Sequence, residues 1–144
     1  MNQKKYSIKR LREDLGDEEK CLEFIFLTLY TNVCKCGGVY HKIARRREYQ
    51  CSRCRKQLAP TAKTIFHKSK TPLTSWFYLI WLFYSRKKEV RSSEIRDQLG
   101  VTYKCGWRIN QTLRNSDIFG NKINFQKDFK EILKLLVLYK PKKQ

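Results

Sequence analysis

Four cysteines restrict this chain more than any other feature. Cys34, Cys36, Cys51 and Cys54 stand in the pattern C-x-C-x14-C-x2-C. Two close cysteine pairs separated by a short polar stretch have the spacing of a four-thiolate zinc site. The expected occupant is one Zn²⁺ per chain. Gly37 and Gly38 sit beside the first pair, where the chain must turn tightly around a metal. Val39-Tyr-His-Lys-Ile and Arg47-Glu-Tyr-Gln read as short strands joined by a basic turn. Together these pieces predict a zinc ribbon over residues 32–70. So small a module has no core of its own, so the metal is expected to hold it. Structural zinc contributes on the order of 10–16 kcal/mol in small peptides.

Charge points to the partner. Lys and Arg total 32 against 13 Asp and Glu, a formal net charge of +19. Hydrophobic residues make up 41% of the chain, enough for a core, so the charge does not force disorder. A compact chain this basic repels itself, and a polyanion relieves the repulsion. The excess is uneven: residues 34–70 hold eleven basic residues and one acidic residue, whereas residues 1–33 hold six of each. Cations gathered on the cysteine module favour nucleic acid over an anionic membrane, and double-stranded DNA is the partner expected. Arg45, Arg46, Arg47, Arg53, Arg55 and Lys56 are the expected phosphate contacts.

The N-terminus is polar, with no apolar signal-like segment, and no window approaches the roughly 20 apolar residues of a membrane span. The expectation is an intracellular protein, in a nucleus or in a bacterial cytoplasm or nucleoid. In such compartments thiols stay reduced and bind metal.

The rest of the chain reads as helical. A helix is expected from Asp17, its cap, to Tyr30, with Cys21 packed on the apolar stripe. Thr71 and Pro72 are placed as cap and first residue of a helix running to about Tyr84, apolar nearly all round and hence central. In the stretch from Ser92 to Arg114, Ile95 and Leu99 face inward from a short helix. Gly100 ends it, and Thr102 caps a second helix with Trp107, Ile109 and Leu113 as its core contacts. That spacing predicts a helix-turn-helix, although plain helical hairpins share it. Thr102, Tyr103, Lys104, Arg108 and Gln111 then form the reading face. Gly106 implies a close backbone approach, to the neighbouring helix or to DNA. Cys105 reads as a small packed residue, because His41 and His67 give no visible base for cysteine catalysis. A last amphipathic helix, Phe125–Tyr139, either completes the core or pairs two chains as a homodimer. The predicted class is α+β, mostly α. Its units are an N-terminal helix (1–31), the ribbon (32–70), the helix-turn-helix bundle (71–114) and a C-terminal helix (115–144).

From about Asp17 to Arg114 the chain resembles the N-terminal region of insertion-sequence transposases of the Merlin superfamily. The resemblance is carried by Glu18-Glu-Lys-Cys-Leu-Glu-Phe, the four cysteines, Tyr49-Gln-Cys-Ser-Arg-Cys-Arg-Lys-Gln and Thr61-Ala-Lys-Thr-Ile-Phe. It continues through Thr71-Pro-Leu-Thr-Ser-Trp-Phe and Leu99-Gly-Val-Thr-Tyr-Lys to Trp107-Arg108. It implies a zinc ribbon and helix-turn-helix that bind the DNA ends of an element. In the family an integrase-like domain follows, which cuts and joins DNA using carboxylate-bound metal. Two departures stand out. The family's first pair is usually C-x-x-C, whereas here it is Cys34-Lys-Cys36, so His41 or another group could replace one thiolate. Beyond Arg114 the only carboxylates are Asp117, Asp128 and Glu131, too few for a two-metal site. The expectation is therefore a non-catalytic, sequence-specific DNA-binding protein: a regulator, an accessory factor or a domesticated remnant. Two alternatives are the DNA-binding part of an active transposase whose catalytic domain is on another chain or lost by truncation, and a structural or RNA-associated zinc ribbon.

Overall fold

A computed structural model describes residues 6–62, 64–67, 69–86, 90–116 and 128–139. The chain order is α1 (Ile8–Leu15), α2 (Glu18–Leu29), β1 (Tyr40–Lys42), β2 (Tyr49–Cys51), β3 (Gln57–Leu58), α3 (Leu73–Arg86), α4 (Ser92–Leu99), α5 (Tyr103–Asn115) and α6 (Phe129–Leu138). The described residues are thus mixed α and β, mostly helical, with one small antiparallel sheet in the order β1-β2-β3. Tyr40 pairs with Cys51, His41 with Gln50 and Lys42 with Tyr49; on the other side Tyr49 pairs with Leu58.

Two helices start where the sequence places them. Asp17 caps α2, its carboxylate accepting from the Lys20 N–H at 2.7 Å, with Glu18 and Glu19 in the first turn. Thr102 caps α5, accepting from the Cys105 N–H at 3.1 Å. The start of α3 corrects the expectation. Thr71 does not cap it, and the Pro72 carbonyl accepts the first helical bonds, so Pro72 sits one position earlier than expected. The free amides of Leu73 and Thr74 donate instead to the Glu18 carboxylate, at 3.0 and 2.9 Å, and the Thr74 hydroxyl adds a third bond at 3.0 Å. One helix caps another across 55 residues of chain, a contact local pattern cannot show.

α1 was hidden by its polar composition. Ser7 caps it, and Leu11 and Leu15 are buried one turn apart. Tyr6, just ahead of it, is buried against Phe129 of α6 with ring centroids 4.7 Å apart, and donates to Asp14 at 2.8 Å.

Every segment contributes to one buried cluster. α3 runs through its centre, burying Leu73, Trp76, Phe77, Leu79, Ile80, Leu82 and Phe83. α6 buries Phe129, Ile132, Leu133, Leu136 and Val137 against it, so this helix completes the core; Phe125 lies outside the described residues. The cysteine module also joins the cluster. Tyr49 stacks on Phe26 of α2 at 4.1 Å, Tyr40 meets Phe26 edge-on at 5.7 Å, and Phe66 packs edge-on against Trp76 at 5.4 Å. Aromatic packing therefore holds the sheet to the helices, an anchor separate from the cysteines.

Candidate metal centre and cationic faces

The three-stranded sheet brings both cysteine pairs to one point. One donor sulfur from each of Cys34, Cys36, Cys51 and Cys54 lies within 4.8 Å of all the others. Across the pairs, Cys34 and Cys54 are 3.7 Å apart and Cys36 and Cys51 3.4 Å apart. Four sulfurs about 2.3 Å from a central ion form a tetrahedron with edges of about 3.8 Å, so the quartet fits one tetrahedral ion of the thiolate-loving kind. His41 is outside the group; it stands exposed on β1, paired with Gln50.

The shortened first pair closes by a glycine. In the second turn, the Cys51 N–H donates to the Lys56 carbonyl at 2.9 Å and the Arg55 N–H to the Cys51 carbonyl at 3.1 Å. In the first, the Cys34 N–H donates to the Gly38 carbonyl at 2.8 Å and the Gly37 N–H to the Cys34 carbonyl at 2.9 Å. The loop is one residue shorter, and Gly37 holds left-handed backbone at φ 91°, as Arg55 does at the matching bond of the second turn.

Amide groups aim at the sulfurs. The Gly38 N–H points at Cys36 Sγ and the Arg53 N–H at Cys51 Sγ, both at 3.4 Å. The Cys36 amide and the Tyr40 hydroxyl bring the Cys34 thiol down to about 6. Burial opposes ionisation of Cys51, but the Cys54 and Arg53 amides and the neighbouring thiols outweigh it, and its net shift is downward. At Cys54 the Lys56 amide favours the thiolate; hydrogen bonding with Cys36, burial and bonding with the other two thiols prevail, and the thiol rises to about 11. The shifts of Cys34, Cys51 and Cys54 run in different directions because thiolates this close repel one another. A bound dication removes that repulsion.

Cys21 and Cys105 take no part. Cys21 is fully buried on α2, donating to the Leu15 carbonyl at 3.4 Å, and burial pushes its thiol up to about 12. Cys105 is half-buried, 3.7 Å from the Thr71 hydroxyl.

The cations divide into two kinds. Arg45, Arg46, Arg53, Arg55 and Lys56 are exposed, although Arg53 also donates to the Cys36 carbonyl at 3.1 Å and so ties the two turns together. Arg47 differs from the phosphate-gripping role expected of it. Its guanidinium donates to the carbonyls of Ser69 and Thr71, at 3.0 and 2.9 Å, and lies 3.9 Å from Glu18. It clamps the sheet to the entry of α3. Arg45 and Arg55 both hold left-handed backbone, at φ 64° and 63°.

α4 and α5 form a tight pair around a turn at Gly100, whose φ is 67°. Ile95, Ile109 and Leu113 are buried between them, and buried Asn110 donates to Ser92 at 3.0 Å. Asn110 also accepts from Arg114 at 3.0 Å, a polar link that apolar periodicity passes over. Gly106 explains itself here: a Cβ would lie 2.9 Å from the Ser92 carbonyl oxygen, so its close approach is to the neighbouring helix. The outer side of α5 carries Tyr103, Lys104 and Arg108 in solvent, with Gln111 half-buried beside them and Thr102 at the cap. Trp107 departs from the expected core position. It is 49% exposed and stands on that outer side, one residue-step round the helix from its buried neighbour Gly106.

No protein-family model, curated protein or solved structure matches this chain. Among the described residues, no helix is long and apolar enough to cross a membrane.

Proposed function

We propose that this chain is a zinc-dependent, sequence-specific DNA-binding protein, a zinc ribbon joined to a helix-turn-helix and related to the DNA-binding region of Merlin-superfamily transposases. Its role is to bind rather than to catalyse. The observation that carries the reading is α5. Its inner face is locked to α4 through Ile109, Leu113 and Gly106, and its outer face offers Lys104 and Arg108 to solvent. A helix held this way can enter a major groove, with those two residues at base edges or flanking phosphates.

The cysteine module supports the same partner. Arg53, Arg55 and Lys56 stand in solvent on the turn that carries Cys51 and Cys54, and Arg45 and Arg46 in solvent on the turn that joins β1 to β2. Arginine at two left-handed positions, where glycine or asparagine sits more easily, keeps cations where the backbone would rather not have them. Strain retained at such positions points to use by a ligand. Zinc is the ion assigned, because it favours four thiolates in a closed tetrahedral site.

The test is a binding titration on duplex DNA across salt concentrations, with metal analysis of the same preparation. One zinc per chain is expected. Six or more phosphate contacts predict a log–log slope of about −5 or steeper. Arg46→Ala should make that slope shallower by about 1, whereas Arg47→Ala should lower thermal stability and leave the slope in place. A flat salt response ends the DNA reading.

A further inference from the structure

We propose that α5 bears a base-stacking platform, Trp107 with Tyr103 one turn before it, that holds an unpaired DNA base while Lys104 and Arg108 hold the adjoining phosphates. The proposal rests on the DNA-binding reading above and names the kind of DNA that this site prefers.

Tyr103 and Trp107 are 51% and 49% exposed, in a chain that buries Trp76 to 3%. A lone exposed aromatic needs no explanation. Two on one helix, four residues apart, are neighbours on its surface, with about 6 Å of rise between them. Among the described residues neither ring lies against another ring, and the Trp107 indole N–H donates to no group. Each residue keeps about half of its surface open to solvent. Lys104 and Arg108, the next residue in each case, make a parallel cationic row about 100° round the helix.

Aromatic faces interleaved with cations are the means by which proteins hold bases outside a stack: the ring takes the base and the cation takes the backbone. A fully paired duplex offers its base edges to a groove-bound helix and keeps its base faces covered. An unpaired nucleotide exposes a face at little unstacking cost. The ligand class that uses both the exposed aromatics and the exposed cations of this helix is therefore duplex DNA containing an extrahelical or unpaired base.

The experiment uses the full zinc-loaded chain and two labelled probes, a fully paired duplex and the same duplex with one bulged nucleotide. Binding is read by anisotropy and by tryptophan emission. The wild type should prefer the bulged probe by about fivefold to 150-fold, the range for stacking one base on an aromatic ring. Trp107 emission should be quenched on that probe. Trp107→Ala should remove the preference, Trp107→Phe should restore part of it, and Lys104→Ala and Arg108→Ala should weaken both probes by similar factors. Equal affinity of the wild type for the two probes, or a preference that survives Trp107→Ala, overturns the platform and leaves duplex binding standing. Failure to bind either probe removes the DNA reading itself, and the platform with it.

Discussion

Gly106→Ala sets helix propensity against packing, and the structure decides the sign. Inside a helix, alanine is favoured over glycine by about 1 kcal/mol. On propensity alone the substitution stabilises α5. The added Cβ, however, meets α4 backbone: 2.9 Å from the Ser92 carbonyl oxygen and 3.3 Å from the Arg96 nitrogen. Neither atom can swing aside as a flexible side chain would. Restoring ordinary contact at 3.4 Å requires the two helices to part by about 0.5 Å. The buried Asn110–Ser92 hydrogen bond spans the same interface at 3.0 Å, and parting the helices stretches it out of range. Overpacking typically costs about 1–3 kcal/mol, and a lost buried hydrogen bond about 1 more. Set against the propensity gain, Gly106→Ala should destabilise by about 1–3 kcal/mol. In a chain of 144 residues that lowers Tm by about 2–12 °C. Thermal unfolding followed by circular dichroism, repeated in urea, measures it. A raised Tm would show that α4 and α5 are not in this contact, and the packing argument would be refuted.

Glu18→Ala should cost about 1–2 kcal/mol, the scale of losing an N-cap, because the carboxylate serves the first amides of α3. Glu18→Gln keeps an acceptor and should cost less than half as much; equal losses in urea unfolding would remove the interhelical cap from the account. Cys21 makes the chain sensitive to alkali. Burial raises its thiol from 9.0 to about 12 in the folded chain, so the stability it contributes is whole below pH 9 and drains away as pH climbs towards 12. Cys21→Ala should flatten that decline by one proton's worth of slope in urea unfolding across pH 8–11, and an unchanged slope would contradict the burial argument.

The cysteine site was legible because its ligands come as two local pairs, each closed by hydrogen bonds within five residues, so spacing alone carries the geometry. The caps at Asp17 and Thr102 were legible for the same reason. The apolar character of Trp107 suggests the core, and the structure puts it outside. The helix pair turns Ile109 and Leu113 inward, and that orientation leaves Trp107 outside. α1 was passed over because its two buried leucines are set among charges. Arg47 was grouped with its neighbours by sequence, and only the fold puts Ser69, Thr71 and Glu18 around its guanidinium.

The order of residues by itself determined a cysteine quartet, the cationic surplus in the same stretch of sequence, and two helices meeting at a glycine turn. All of these depend on neighbours a few positions apart. Tertiary structure alone decided which cations are free, which helix caps another, and which way the α5 aromatics face. Those outcomes depend on groups brought together from distant parts of the chain, and burial in the shared core, rather than local preference, sets them.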